Sequence, residues 1–109
     1  MTEDFAALFA HVRAFSWDDD KRERILRERQ IDFDEARYVF EGPPIVQRSD
    51  RRGEVRYMVF GFLDDVEVVI VCTLRADVCW IISARRARRD ERKNYYSRLA
   101  RRSASEGED

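Results

Sequence analysis

The chain has 109 residues and a mass of 13.0 kDa, the size of one domain. Hydrophobic residues make up 44% of it, enough to bury a single core, which argues against a wholly disordered protein. Charged residues reach 39%, and 19 of the 21 basic residues are arginine. The net charge of −1 gives no global sign of a polyanionic partner.

The basic residues are concentrated near the end of the chain. Residues 85–102 hold nine basic side chains and two acidic ones, whereas the rest of the chain has a net charge of −8. This separation favours contact with a polyanion at one face and with a charged partner elsewhere. A solvated surface is the alternative explanation for such a run, and the sequence leaves both open.

Several protein classes are disfavoured by what the sequence lacks. The longest apolar run, residues 68–72, is too short to span a membrane, and no secretion signal opens the chain, so we expect a cytoplasmic protein with no membrane partner. Cys72 and Cys79 lie in apolar runs and fit buried thiols of a reducing compartment, with a hairpin disulfide as the alternative. His11 is the only histidine, and no Cys-x-x-Cys or glycine-rich phosphate loop occurs, so we expect neither metal nor cofactor.

The first third of the chain predicts short helices around one strand. Residues 1–14 contain apolar residues at helical spacing and predict a leader helix. These residues are Phe5, Leu8, Phe9 and Val12. Residues 13–17 predict a strand, and Asp18 predicts the N-cap of a helix that runs to about Arg29. Asp34 predicts the cap of a second, short helix, which Gly42-Pro43-Pro44 ends.

The rest of the chain predicts strands and then one helix. The predicted strands cover residues 45–48, 55–62, 66–74 and 78–84, and the helix covers residues 86–99. Short connections at residues 64–65 and 75–77 indicate antiparallel pairing. We therefore expect an α+β fold in which helices pack on a small antiparallel sheet. We expect residues 15–102 to form the domain and residues 103–109 to be a disordered acidic tail.

The last predicted helix carries a carboxylate on its apolar stripe. The stripe consists of Ala84, Ala87, Glu91, Tyr95 and Leu99. A buried carboxylate needs a partner, and arginines on the strands are the obvious ones. Two interpretations remain open: an ion pair that orients the helix, or a group that holds a catalytic arginine in place.

Three arginines interrupt or end the apolar strands. Side-chain alternation allows Arg56, Arg75 and Arg85 to converge on one concave face if the strands pair as expected. An arginine cluster without histidine or metal suits RNA cleavage in which a 2′-hydroxyl attacks its own phosphodiester and the enzyme stabilises the pentacoordinate charge. Three groups are candidates for the proton transfer: Glu91, Asp77 and Tyr95.

The outward side of the last helix is a candidate RNA-binding surface. Arg88, Arg89 and Arg92 offer planar guanidinium groups that match phosphate oxygens. Tyr95 or Tyr96 could stack on an unpaired base. Packing in the core and at its rim is the alternative role for both tyrosines.

Short motifs along residues 15–96 resemble the BrnT family of ribonuclease toxins in type, order and spacing. They are Phe15-Ser16-Trp17-Asp18 with Lys21, Ile31-Asp32-Phe33-Asp34-Glu35-Ala36, Val39-Phe40, Gly53-Glu54-Val55-Arg56, Gly61, Thr73-Leu74-Arg75, Ile81-Ile82-Ser83-Ala84-Arg85 with Ala87, and Glu91-Arg92 with Tyr95. The run at residues 81–85 is the most specific of them.

The resemblance implies a ribonuclease toxin of a type II toxin–antitoxin system with a RelE-like fold. It implies RNA cleavage without metal that inhibits translation, and a hetero-oligomer with a small BrnA-type antitoxin, usually a DNA-binding protein. The family's motif positions are occupied here by Arg56, Arg75, Arg85, Glu91 and Tyr95. The resemblance therefore implies a catalytic role for these five residues.

The chain departs from the family pattern at two places. The family usually has Lys-His-Gly after the first helix, where this chain has Glu28-Arg29-Gln30. Trp80 stands where a basic residue usually precedes the run at residues 81–85. The missing lysine and histidine are the natural acid–base candidates of the family. A toxin-like module that binds an antitoxin or nucleic acid with weak or no catalysis is therefore the alternative function.

Overall fold

The computed structural model describes residues 5–42 and 44–106, and it describes side-chain surroundings for residues 7–42 and 44–101. The helices are α1 (Phe5–Phe9), α2 (Asp19–Arg29), α3 (Phe33–Ala36) and α4 (Arg89–Glu106), and a 3₁₀ helix covers Arg37–Glu41. The strands are β1 (Ala14–Ser16), β2 (Ile45–Arg48), β3 (Tyr57–Leu63), β4 (Val66–Arg75) and β5 (Val78–Arg86). None of the described helices is long and apolar enough to span a membrane.

The five strands form one mixed sheet in the order β1-β5-β4-β3-β2. Strands β2 to β5 pair antiparallel, whereas β1 pairs parallel with β5. The predicted α+β class is confirmed, but the expectation of a purely antiparallel sheet is wrong at β1. This strand reaches β5 through α2, α3 and three intervening strands, so no hairpin fixes its direction.

Capping aspartates set the starts of α2 and α3. The Asp18 carboxylate accepts a hydrogen bond from the Lys21 backbone N–H at 3.1 Å, which confirms the predicted N-cap of α2. The predicted cap of α3 is wrong by two residues. Asp32 is the N-cap, and it accepts from the backbone N–H of Asp34 at 3.0 Å. Helix α3 therefore begins at Phe33, one residue before the predicted cap.

The strand predictions are confirmed with end shifts of one to two residues. The turn at Asp64-Asp65 has positive φ at both residues, a conformation that aspartate tolerates. Helix α4 begins later than predicted, because β5 continues to Arg86, and it ends seven residues beyond Leu99. Residues 103–106 of the expected tail are thus helical, while residues 107–109, 1–4 and 43 lie outside the described residues.

The sheet separates two clusters of buried side chains. Helices α2 and α3 and the 3₁₀ helix cover one face, where the buried residues include Ile25, Phe33, Ile70 and Ile81. Gly61 allows β3 to pass the 3₁₀ helix closely, since a Cβ there would lie 2.7 Å from Val39 Cγ1. This face holds the main core.

Two buried thiols belong to this main core. Cys72 and Cys79 are both free and fully buried, as the thiol interpretation of the sequence predicted. Contact with Cys79 and burial raise the pKa of the Cys72 thiol. The thiols therefore behave as small apolar side chains rather than as nucleophiles.

Helix α4 covers part of the opposite face. Ala87 and Tyr95 pack with Ile45, Phe60 and Val69, and the partly buried Leu99 joins them. Along β4, alternation places Val71, Thr73 and Arg75 on this same face beyond Val69. The stretch of sheet beyond α4 therefore holds the polar and charged groups of the candidate site.

Candidate functional site

The three predicted arginines share one face of the sheet but form two groups. Arg85 lies opposite Val69 on β4, and Arg75 lies six residues further along the same strand. At 3.3 Å per residue their Cα atoms are about 20 Å apart. The expectation that all three arginines converge is therefore wrong for Arg85, whereas Arg56 and Arg75 do meet.

Arg85 forms a bidentate ion pair with Glu91. Its Nη1 and Nη2 atoms donate to Glu91 Oε1 and Oε2 at 2.7 and 2.8 Å. The side chains are only 21% and 13% exposed, respectively. Glu91 Oε1 also accepts from the Arg88 backbone N–H at 2.7 Å, one half of a capping box at the start of α4. The expected ion pair between Glu91 and a strand arginine is therefore present, and its role in orienting the helix or in holding a catalytic arginine stays a prediction.

This pairing fixes the protonation state of both groups. The hydrogen bond from Arg85 lowers the pKa of Glu91, and the Arg88 backbone N–H lowers it further, although burial opposes both. The same hydrogen bond raises the pKa of Arg85. Because Glu91 is an ionised acceptor of three N–H groups, it is poorly suited to accept a proton during catalysis.

Arg56 and Arg75 share Glu54, a residue that the sequence did not single out as a site residue. Arg56 Nε donates to Glu54 Oε1 at 2.9 Å, and Arg75 Nη2 lies 3.5 Å from Glu54 Oε2. The hydrogen bond from Arg56 is the main cause of the lowered pKa of Glu54. Arg75 also lies over the Trp80 ring, with its Cζ 4.9 Å from the ring centroid. Arg75, 57% exposed, is the more accessible guanidinium of this cluster.

Lys21 lies within range of the charge of Arg56, although the sequence did not single it out as a site residue. Partial burial is the main cause that lowers its pKa, and the charges of Arg24, Arg56 and Arg29 lower it further. Lys21 on α2 therefore lies close enough to Arg56 for the two charges to interact, although the residues are far apart in the sequence. The one signal in the sequence was its position three residues after Asp18 in the family-like motif.

Arg29, at one of the departures from the family pattern, contacts the strand that carries Arg85. Its Nη1 donates to the Ala84 carbonyl at 3.0 Å and lies 3.5 Å from Ser83 Oγ. Gln30, which follows it, has a left-handed backbone with φ of 57° and caps α2. Glycine adopts this conformation most easily, which gives a physical reason for glycine at this place in the family pattern.

The predicted RNA-binding residues of α4 differ in exposure. Arg88 and Arg89 are exposed, and Arg92 binds Glu67 at 3.3 Å and the Ala87 carbonyl at 3.2 Å. Tyr96 is 47% exposed. All four belong to the outward or flanking surface of the helix.

The two remaining candidates for proton transfer, Tyr95 and Asp77, differ in burial and in position. Tyr95 is only 4% exposed and lies in the second cluster of buried residues, which supports the packing role. Asp77 is exposed in the β4–β5 turn, at the Arg75 end of the hairpin. A catalytic role for either residue stays a prediction. Within the described part of the chain, no group of three metal-binding side chains occurs.

Comparisons with known proteins support one family. A family model described as "Ribonuclease toxin, BrnT, of type II toxin-antitoxin system" matches residues 17–91. The fold is similar to the 1.1 Å crystal structure of the Brucella abortus ribonuclease toxin BrnT, with a TM-score of 0.54 and 16% identity. That match covers 72% of this chain and 100% of the other. A search of curated proteins finds no match.

Proposed function

The chain belongs to the BrnT family of ribonuclease toxins of type II toxin–antitoxin systems, and from this we propose that it cleaves RNA without a metal ion and so inhibits translation. The observation that carries the proposal is the Arg85 guanidinium, which Glu91 holds on the sheet at the start of the basic helix α4. A fixed cation beside a basic surface is suited to stabilising a phosphodiester as its charge increases.

Arg85 keeps donors for a phosphate while it is paired. Among the described residues, Glu91 takes two of its N–H groups and the Arg86 carbonyl takes a third at 3.3 Å. A guanidinium has five N–H groups, so two remain for phosphate oxygens. Because the ion pair restricts the side chain, little conformational entropy is lost when the phosphate binds.

The reaction needs a nucleophile that the RNA supplies. The 2′-oxygen forms a bond to the adjacent phosphorus, and the bond from phosphorus to the 5′-oxygen breaks. The proton of the 2′-hydroxyl passes to solvent water, and the 5′-oxygen gains a proton from a protein group. We assign the second transfer to Lys21, because it lies within range of the charge of Arg29, which bonds to the Ala84 carbonyl beside Arg85. Burial and the neighbouring cations also lower the pKa of Lys21.

The other arginines bind RNA away from the cleaved bond. Arg88, Arg89 and Arg92, together with Tyr96, contact the strand along α4. Arg56 and Arg75 contact a phosphate about 20 Å from Arg85, at the other end of the β4–β5 hairpin. The substrate is therefore a single-stranded segment several nucleotides long.

Cleavage by purified protein tests the proposal directly. We expect the free protein to cut RNA and Lys21→Met to cut it far more slowly, with unchanged melting temperature. The matched control is Lys93→Met, which removes the other lysine from the exposed surface of α4. Cleavage by Lys21→Met at the wild-type rate would contradict the role of Lys21, and no cleavage by wild type would contradict the proposed activity.

A second candidate function is binding without cleavage. Arg29, where the family pattern has histidine, favours this alternative because an arginine bonded to the Ala84 carbonyl cannot exchange protons near neutral pH. Induced expression distinguishes the two functions. Slowed growth with intact RNA would support the binding module, whereas slowed growth with degraded RNA supports the ribonuclease.

We further propose that a small BrnA-type antitoxin neutralises the protein in the cytoplasm by forming a hetero-oligomer. An acidic or amphipathic segment of the antitoxin would compete with RNA for residues 85–102 or cover the arginines on the sheet. Charge complementarity would make its association faster at low salt. Hydrogen exchange on the complex tests this geometry. Protection confined to α2 and α3, with α4 unchanged, would contradict it.

A further inference from the structure

Two exposed aromatic side chains meet beside the basic helix. Four large hydrophobic residues are exposed in the described part of the chain: Leu26, Tyr38, Phe62 and Tyr96. Of these, Phe62 and Tyr96 contact each other, with ring centroids 6.2 Å apart and planes at 57°. Phe62 is 40% exposed and Tyr96 is 47% exposed. The pair therefore presents aromatic surface that the fold leaves uncovered.

The pair is held in place by the buried residue beneath it. The Tyr95 ring lies 5.7 Å from Phe62 and 5.6 Å from Tyr96, both in edge contacts. Tyr95 itself is 4% exposed and packs with Phe60 and Val69 on the sheet. Because a buried ring supports both exposed ones, the aromatic surface is preorganised, and binding to it orders few additional groups.

The charges around the pair favour an anionic strand on one side. Arg92 precedes Tyr96 by one helical turn and binds Glu67, the residue opposite Phe62 on β4. This ion pair neutralises the acidic residue directly across from Phe62. The exposed Arg89 lies one further turn back, whereas Asp64 and Asp65 form the turn beyond Phe62. A polyanion is therefore attracted along α4 and repelled at the turn.

We propose that Phe62 and Tyr96 form a stacking subsite for an unpaired nucleobase of the bound RNA, with Arg92 beside its phosphate. The inference rests on the proposed ribonuclease function. Phe62 lies on β3 and Arg85 on β5, two strands apart, and their partners on β4 are two residues apart. Their Cα atoms are therefore about 12 Å apart. The subsite therefore takes a base near the cleaved bond, on the side opposite Arg75. Stacking accepts any base, so it strengthens binding without selecting a sequence.

The test measures binding separately from cleavage. The probe is a short 2′-O-methyl RNA, which lacks the attacking hydroxyl, and its matched control is the same backbone with all bases removed. We expect Tyr96→Leu and Phe62→Leu each to weaken binding of the base-bearing probe roughly 5- to 100-fold. Binding of the abasic probe should not change. Tyr96→Phe should bind both probes like wild type, and Tyr38→Leu controls for loss of an exposed tyrosine elsewhere.

The outcomes separate this subsite from the proposed function. Wild-type binding by both leucine variants, at unchanged melting temperature and with RNA still cleaved, would overturn the subsite and leave the ribonuclease intact. If the leucine variants lost antitoxin binding but kept RNA binding, the stacking subsite would also be overturned, because the rings would then belong to a protein interface. No RNA binding or cleavage by wild type would refute the proposed function itself.

Discussion

The substitution Arg85→Ala separates structural and catalytic roles of the ion pair at the centre of the site. It removes both hydrogen bonds to Glu91 and leaves that carboxylate, 13% exposed, with only the Arg88 backbone N–H. A hydrogen bond to a charged group contributes about 1.5–3 kcal/mol, and an uncompensated buried charge adds to the loss. Because Arg85 is 21% exposed and water can reach the vacated space, we expect a cost of about 2–3 kcal/mol.

The same substitution has a separate expected effect on catalysis. Loss of one charged donor to a developing oxyanion typically lowers the rate by roughly 100- to 1000-fold. A stability loss of 2–3 kcal/mol corresponds to a melting temperature lowered by about 8–12 °C for a domain of this size. The two effects are separable, because RNA cleavage can be measured at a temperature at which both proteins are still folded.

The double variant Arg85→Ala with Glu91→Ala is the control that decides between the roles. Removing the carboxylate as well eliminates the unpaired charge, so most of the lost stability should return, less the capping contribution of about 1 kcal/mol at the start of α4. A catalytic Arg85 predicts that cleavage stays roughly 100- to 1000-fold low in the double variant. Recovery of cleavage together with stability would refute the reasoning, since Arg85 would then act only through the fold.

Three further predictions concern metal dependence, helix capping and pH. Cleavage should continue in EDTA, and loss of activity in EDTA that magnesium restores would contradict the mechanism. Gln30→Gly should raise the free energy of unfolding by about 0.5–1 kcal/mol, because the left-handed backbone at this position favours glycine. This gain outweighs the lost hydrogen bond from the Gln30 side chain to the Arg27 carbonyl, and urea unfolding measures the net change. Native partners lower the pKa of Asp32 and Glu91 from their ordinary values of 3.8 and 4.5, so their contribution to stability should be fully present above those values and be lost as pH falls below them. Asp32→Asn should show a shallower fall, and equal pH profiles for the variant and wild type would contradict the role of Asp32.

The sequence correctly predicted a helix start and a turn that are determined by residues close together in the chain. Asp18 caps α2 because its own side chain reaches the Lys21 backbone N–H, and Asp64-Asp65 forms a turn because aspartate tolerates positive φ. The direction of β1 had no local cause, since its partner β5 lies more than 60 residues later in the chain. Asp32 rather than Asp34 caps α3, because the Asp32 side chain accepts the backbone N–H of Asp34, and the sequence offered both aspartates as candidates for the same cap.

The candidate site was predictable in its composition but not in its layout. The helical stripe identified Glu91 as a residue in need of a partner, and Arg85 is that partner. The separation of Arg75 from Arg85 follows from the hairpin, because a turn at residues 76–77 pairs Arg75 with Val78 and so places Arg85 far along β4. Lys21 escaped sequence reasoning because one of the charges that lower its pKa belongs to Arg56, just before β3, which only the tertiary fold brings near α2.

The position of Glu91 links the fold to the chemistry of the site. As the third residue of α4 it accepts the Arg88 backbone N–H at Oε1, and both of its oxygens accept from Arg85 near the end of β5. Only residues 87 and 88 separate that strand from the helix, so the guanidinium and the helix start are fixed relative to each other. The packing of Tyr95 on Phe60 and Val69 sets the position of α4 on the sheet. Displacement of α4 would therefore separate Glu91 from Arg85, so an antitoxin that shifts the basic helix while it competes with RNA would also release the guanidinium that we propose stabilises the phosphodiester.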